Sequence, residues 1–432
     1  LYIYGKDTVQ ITHICVLSTC CKQFKIRMKK LLLIVNLFLL ALSNLVQAQY
    51  CSQDNRFTEI EYFSLQDVDS VSNVVYGSAI DYQGTTTTLI LDIYFPDQNV
   101  DLFNLRPLVL MIHGGGFVAG DKDDRKTECI TLAQKGYVAA TINYRLGGNT
   151  GPQNIQAIYR AHQDANASLR YLASNYSTYG IDTNWIFIGG SSAGAITANN
   201  VNYTSQNEWN ILFPGIETML GSLDTSGNTY TNSFDLKGIF NNWGAVPINS
   251  IQSSEMIPQI AFHGELDQTV DIDTATSLIG SRSIHYALLS NNICSDITID
   301  SVGNHGIFTD QAGAIFRASK ASCFFRSVFC NDCQDVYTTD SIPANCSSTV
   351  GLGETIILDK ILAYPNPVKE VLTIEGVPKN TFVTIYNIMG ELIRTEEYIN
   401  GINFSSLKQG IYVVQVFNSS NGTNNILKIL KE

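Results

Sequence analysis

From about residue 107 to residue 330 the chain alternates short apolar runs with segments of helical spacing, and this alternation restricts the fold more than any other feature. Pro107 to Ile112, Tyr137 to Asn143, Trp185 to Ile188, Gly238 to Phe240, Gln259 to Phe262 and Ile297 to Val302 read as strands. Residues 153–175, Ala193 to Asn202, Ala275 to Ser290 and Gln311 to Val328 read as helices. Repeated strand–helix units of this kind imply a parallel sheet covered by helices on both faces. The expected class is therefore α/β. Residues 57–100, with Thr88 to Tyr94 as the clearest example, alternate like antiparallel strands at the edge of such a sheet.

At 432 residues the chain is too long for one ordinary domain, and 45% hydrophobic against 15% charged residues is ample for a core. Met28, Lys29 and Lys30 open a basic stretch, Leu31 to Leu42 is apolar apart from Asn36, and Val46, Gln47 and Ala48 offer small residues around a cleavage point. Residues 28–48 are thus expected to be a secretory signal peptide, too short for a membrane span. Residues 1–27 are expected to be translated from upstream of the true start. Without residues 1–48 the chain holds 21 basic and 38 acidic residues, a net of −17. Such a surface repels phosphate backbones, so nucleic acid is an unsuitable partner.

Seven cysteines follow residue 48, and export makes disulfides reasonable. Cys330 and Cys333 form a lone C-x-x-C with no clustered histidine, which favours structural disulfides over zinc or redox chemistry. Residues 331–355, rich in Asp, Thr, Ser, Gly and Cys, read as a linker after a catalytic domain over 49–330. Residues 356–432 hold short strands, Val371 to Ile374, Phe382 to Tyr386, Glu391 to Thr395, Ile411 to Phe417 and Ile426 to Leu430, and read as a small all-β sandwich.

Within the alternating region Gly190-x-Ser192-x-Gly194 stands between a strand and a helix. A sharp turn there lifts the serine oxygen clear of the sheet, and the helix N-terminus behind it favours negative charge. Ser192 is the candidate nucleophile. His113-Gly114-Gly115-Gly116-Phe117 follows the strand ending at Ile112, and successive glycines let N–H groups converge on an oxyanion. The candidate donors are Gly115, Gly116 and Ala193. Asp267 lies just beyond the strand ending at Phe262, with Glu265 as the competing carboxylate. His305 stands in the Gly303-Asn304-His305-Gly306 loop. The order Ser192, Asp267, His305 suits a nucleophile, an acid that orients the base, and the base. His263 is assigned to packing or hydrogen bonding in the acid loop, and His285 and His162 to packing or a helix surface. No His and carboxylate group has metal-ligand spacing, so neither metal nor cofactor is expected.

These residues together resemble the carboxylesterase and hormone-sensitive-lipase-like branches of the α/β-hydrolase superfamily over about residues 75–330. The resemblance rests on HGGGF at 113–117, on Asn143-Tyr144-Arg145-Leu146-Gly147 and on Ser192-Ala193-Gly194-Ala195. Those families commonly carry an acid before the nucleophile, where this chain has Ser191. Ala363 to Val368, Val383 to Gly390, Gly410 to Val414 and Lys428 to Glu432 are similar to the type A sorting domain of the type IX (Por) secretion system. That implies passage through the periplasm and outer membrane of a Gram-negative bacterium, then release or surface attachment.

The expected function is a secreted serine esterase acting on short-chain, aryl or polysaccharide-linked acyl esters such as acetyl or feruloyl groups. A serine peptidase of the same fold, a polyester hydrolase and a non-catalytic surface binding protein are the alternatives. Within residues 203–235, Trp209, Phe213 and Met219 suggest an aromatic acceptor pocket under a lid.

Overall fold

The computed structural model describes residues 50–51, 55–101, 103–147, 152–248, 250–273, 278–339, 362–375, 377, 381–387, 392–418 and 424–432. The expected leader, the segment before it and most of the expected linker lie outside these residues, as does the turn at Met389 and Gly390.

Nine strands form the main sheet: β1 (Val68–Ile80), β2 (Thr86–Pro96), β3 (Arg106–Ile112), β4 (Val138–Ile142), β5 (Ile181–Ser191), β6 (Leu236–Asn242), β8 (Gln259–Gly264), β10 (Ser295–Asp300) and β11 (Val336–Thr339). Two small strands, β7 (Ala245–Pro247) and β9 (Leu278–Gly280), pair separately. The order across the main sheet is β1-β2-β4-β3-β5-β6-β8-β10-β11. Strands β4 to β11 run parallel, while β1 and β2 are antiparallel at the edge, as the alternation over 57–100 required. Strands β3, β4 and β8 are buried along their whole length, the consequence of helices on both faces. Each fully buried Val, Leu or Ile contributes roughly 1.5–3 kcal/mol.

The crossovers are α1 (Lys126–Gln134), α2 (Pro152–Ser174), α3 (Ala193–Tyr203), α4 (Gln206–Leu212), α5 (Ile216–Leu220), α6 (Ser281–Ser290) and α7 (Gln311–Cys330). Helix α1 was not legible in the sequence, because Lys126, Thr127 and Glu128 dilute its apolar face. The helix expected over Ala275 to Ser290 starts later, at Ser281. Gly280 is extended there, and Leu278–Gly280 pairs with β7 instead.

The expected linker also needs correction at its start. Val336–Thr339 continues the parallel sheet beside β10, with Asp296 opposite Val336 and Ile299 opposite Thr339. A disulfide between Cys294 and Cys333 staples the entrances of these two strands. Cys330 is itself disulfide-bonded, so the C-x-x-C pair serves two structural bridges.

Under this edge Lys320 is buried, its Nζ 2.7 Å from Asp296 Oδ1 and 2.6 Å from Thr298 Oγ1. Removing the carboxylate strands a buried ammonium. Asp296→Ala is expected to lower unfolding free energy by about 3–5 kcal/mol in urea melts, with Asp296→Leu/Lys320→Met losing much less.

The tail is all-β. Strands β12 (Leu362–Tyr364), β13 (Val371–Glu375) and β16 (Ile402–Asn403) make one antiparallel sheet. Strands β14 (Thr381–Asn387), β15 (Leu392–Glu397), β17 (Gly410–Asn418) and β18 (Asn424–Lys431) make another, in the order β15-β14-β17-β18. Val368, Leu372, Val383, Ile385, Val414 and Ile429 meet in one core between them.

Candidate active site

Ser192 sits between β5 and α3 with φ 52° and ψ −118°, a conformation costly for a residue with a Cβ. Close backbone approach makes the flanking glycines necessary: a Cβ on Gly194 would lie 2.1 Å from Ile112 O. The turn is pinned to β6. Ser192 N–H donates to Asn242 O at 2.9 Å, and Asn242 Nδ2 donates to Gly190 O at 2.9 Å. Parallel strands that end together therefore present the serine at the C-terminal edge of the sheet.

His305 lies in the loop between β10 and α7. Its Nε2 is 2.8 Å from Ser192 Oγ and its Nδ1 is 2.7 Å from Asp267 Oδ2. The other carboxylate oxygen, Oδ1, accepts the N–H groups of Thr269 at 2.8 Å and Val270 at 2.9 Å. Burial alone would raise the pKa of Asp267. Hydrogen bonds from His263, Val270, His305 and Thr269 outweigh it and hold the carboxyl well below the usual carboxylate range. Glu265 faces elsewhere, 2.6 Å from Arg282 Nη1.

The glycine loop closes the other side. Gly115 and Gly116 have φ 100° and 61°, and a Cβ on Gly114 would lie 3.4 Å from Ser192 Cβ. Among the described residues, no acceptor takes the N–H groups of Gly115 or Gly116. Ala193 opens α3, where an N–H has no partner within the helix.

Residues 91–260 match the BD-FAE family, and residues 362–432 match the secretion system C-terminal sorting domain. Residues 91–260 thus carry the mark of a BD-FAE α/β-hydrolase domain, and the tail that of a secretion sorting domain. The chain is also similar to the neuroligin-like protein glit-1 of Caenorhabditis elegans, 29% identical over 36% of this chain and 20% of that one. Carboxylesterase 3B of Mus musculus is 28% identical over 32% of this chain and 25% of its own. The chain thus spans a fifth to a quarter of these curated relatives. Esterase 2 of Thermogutta terrifontis, solved phosphorylated by paraoxon, aligns at TM-score 0.45 and 18% identity over 60% of this chain and 93% of its own.

The N-Y-R-L-G stretch of this α/β-hydrolase supports the glycine loop. Tyr144 stacks on His113 with centroids 4.4 Å apart, and its hydroxyl donates to His113 O and Gly114 O, each at 3.2 Å. Gly147 N–H donates to Phe117 O at 2.8 Å. Arg145 anchors the stretch through a two-toothed pair with the buried Asp164, Nε and Nη2 at 2.9 and 2.7 Å from Oδ1. Tyr144→Phe is expected to lower kcat/KM about fivefold, near 1 kcal/mol of lost hydrogen bonding, with unfolding midpoints showing the fold intact.

Three other histidines have specific partners. His263 Nδ1 is 2.7 Å from Ser281 Oγ, and its Nε2 is 2.9 Å from Val270 O and 3.2 Å from Asp267 Oδ2. It therefore touches Asp267 directly, in keeping with the hydrogen bonding in the acid loop expected of it. His285 is buried, with Nδ1 2.8 Å from Ser295 Oγ. His162 accepts from Trp209 Nε1 at 3.0 Å, and burial pushes its titration down to about 3. Trp209 is correspondingly only 2% exposed and edge-on to Tyr159, so it packs on α2 rather than offering a wall to a substrate. Among the described residues, no group of His, Cys, Asp and Glu has the arrangement of a metal site.

Proposed function

We propose that this α/β-hydrolase is a secreted serine esterase that cleaves carboxylic esters through an acyl-enzyme. The observation that carries this is the unbroken chain from Ser192 through His305 to Asp267, beside unengaged N–H groups of Gly115, Gly116 and Ala193. Ser192 Oγ attacks the ester carbonyl as His305 Nε2 takes its proton. The three N–H groups hold the oxyanion of the tetrahedral intermediate. His305 then returns the proton to the departing alcohol, and water repeats the cycle on the acyl-enzyme. Asp267 keeps the Nδ1–H tautomer and stabilises the imidazolium. Short-chain and aryl esters, and acetyl or feruloyl groups on polysaccharides, are the proposed substrates. The sorting domain supports export by the type IX machinery, followed by its removal with release or surface attachment.

The test is hydrolysis of p-nitrophenyl acetate, p-nitrophenyl octanoate and methyl ferulate by the full chain, with titration by a fluorophosphonate. A burst of nitrophenol equal to the fluorophosphonate-reactive sites supports the acyl-enzyme. Folded protein that turns over none of the esters and resists the reagent overturns it.

A further inference from the structure

Ser191 stands directly before Ser192 at the end of β5. Its hydroxyl is not idle. Arg125 Nη1 donates to Ser191 Oγ at 2.6 Å and to Glu128 Oε1 at 2.8 Å. The same Glu128 Oε1 accepts from Arg317 Nη2 at 2.6 Å. Arg317 Nη1 then donates to the carbonyls of Ile307 and Phe308, in the loop that carries His305. Phe308 has φ 51°, so this loop needs an external hold to keep a left-handed residue in place. The Arg317 guanidinium also lies 5.0 Å from the centroid of Trp243, whose ring meets the His305 imidazole edge-on at 6.5 Å. Glu128 and Arg317 are each 1% exposed.

We propose that Arg125, Glu128 and Arg317 are positioning residues, an ionic bridge that holds the turn bearing Ser192 and the loop bearing His305 at a fixed spacing. The inference rests on the reading of Ser192 and His305 as nucleophile and base. The bridge joins three separate stretches of chain: β5, the start of α1, and α7 with the loop before it. Ser191 and Arg125 are 66 residues apart, and Glu128 and Arg317 are 189 apart. One carboxylate oxygen receives both guanidinium groups, and the Glu128–Arg317 pair is buried, so it tolerates little displacement before attraction no longer offsets desolvation. A serine at 191 is then suited to its place, since it accepts from Arg125 without adding a second negative charge.

The experiment uses the full chain and the variants Arg317→Lys, Arg125→Lys, Arg125→Met, Ser191→Ala and Ser191→Ala/Arg317→Lys. For each, kcat and KM for p-nitrophenyl acetate and the rate of fluorophosphonate inactivation are measured well below the unfolding midpoint. Arg317→Lys is expected to lower kcat and the inactivation rate in parallel, by 10- to 100-fold, with KM within twofold. Ser191→Ala should cost 3- to 10-fold. The double variant should fall no lower than Arg317→Lys within twofold, because both changes break one bridge. Arg125→Lys should keep more activity than Arg125→Met. If Arg317→Lys does not fold, the comparison of Ser191→Ala with the two Arg125 variants decides alone. Unchanged kcat in folded variants, or effects that multiply, overturns the bridge while wild-type turnover upholds the esterase. A wild type that neither hydrolyses the ester nor reacts with the fluorophosphonate overturns the esterase reading, and the bridge with it.

Discussion

Ser192→Ala is expected to abolish ester hydrolysis, lowering kcat by on the order of 10⁵–10⁶-fold and removing labelling by a fluorophosphonate. The size of the effect follows from the site. Without Oγ no acyl-enzyme forms, and His305 Nε2, 2.8 Å from that oxygen, has no proton to accept. What survives is the contribution of the N–H groups of Gly115, Gly116 and Ala193, which still polarise a bound carbonyl. Ser192→Gly should lose as much activity yet unfold at higher denaturant, because glycine relieves the strain at φ 52°. That strain is worth about 1–3 kcal/mol. A Ser192→Ala protein that keeps its turnover would remove the serine mechanism from consideration.

Asp267→Asn is expected to lower kcat by about 10⁴-fold with little change in KM. The carboxylate cannot be replaced by an amide in its useful orientation. Oδ1 is committed to the N–H groups of Thr269 and Val270, so the amide oxygen must stay there. The amide nitrogen then faces His305 Nδ1, which can only accept from it, and the imidazole proton moves to Nε2. His305 is left pointing a proton at Ser192 Oγ instead of a lone pair. His263 Nε2, 3.2 Å from the same oxygen in the native protein, would also face a donor. The same substitution has a signature in stability. The Asp267 carboxyl is held below its ordinary value, so its ionised form stabilises the fold above about pH 4, the unfolded value. That contribution is lost as pH falls from there through the folded value. Urea melts of Asp267→Asn between pH 7 and 3 should therefore show a shallower acid decline than the wild type.

The candidate site residues were legible because their signals are local. Gly190, Ser192 and Gly194 mark a turn that only small neighbours permit, and Gly114 to Gly116 mark a loop with exposed donors. The choice between Asp267 and Glu265 was not local. They are two residues apart, and the turn after β8 sends one to His305 and the other to Arg282. His263 was visible but not its contact with the acid, since only the folding of Val270 back over it brings Asp267 alongside. Trp209 misled for a related reason. An aromatic among Asn, Ser and Thr looks like a binding surface until His162 and Tyr159 are seen to cover it.

By itself the sequence determined the class of sheet, the strand-to-helix turn at Ser192, the glycine loop and the all-β tail. Periodicity and turn chemistry act over a few residues and need no distant partner to be read. The tertiary structure alone decided that residues 336–339 return to the sheet, that Cys333 meets Cys294, and that Glu128 joins Arg125 to Arg317. Each of these depends on partners dozens to nearly two hundred residues away. Burial sets their energies: charges or strand edges that water would satisfy in an open chain must find those partners once the core closes.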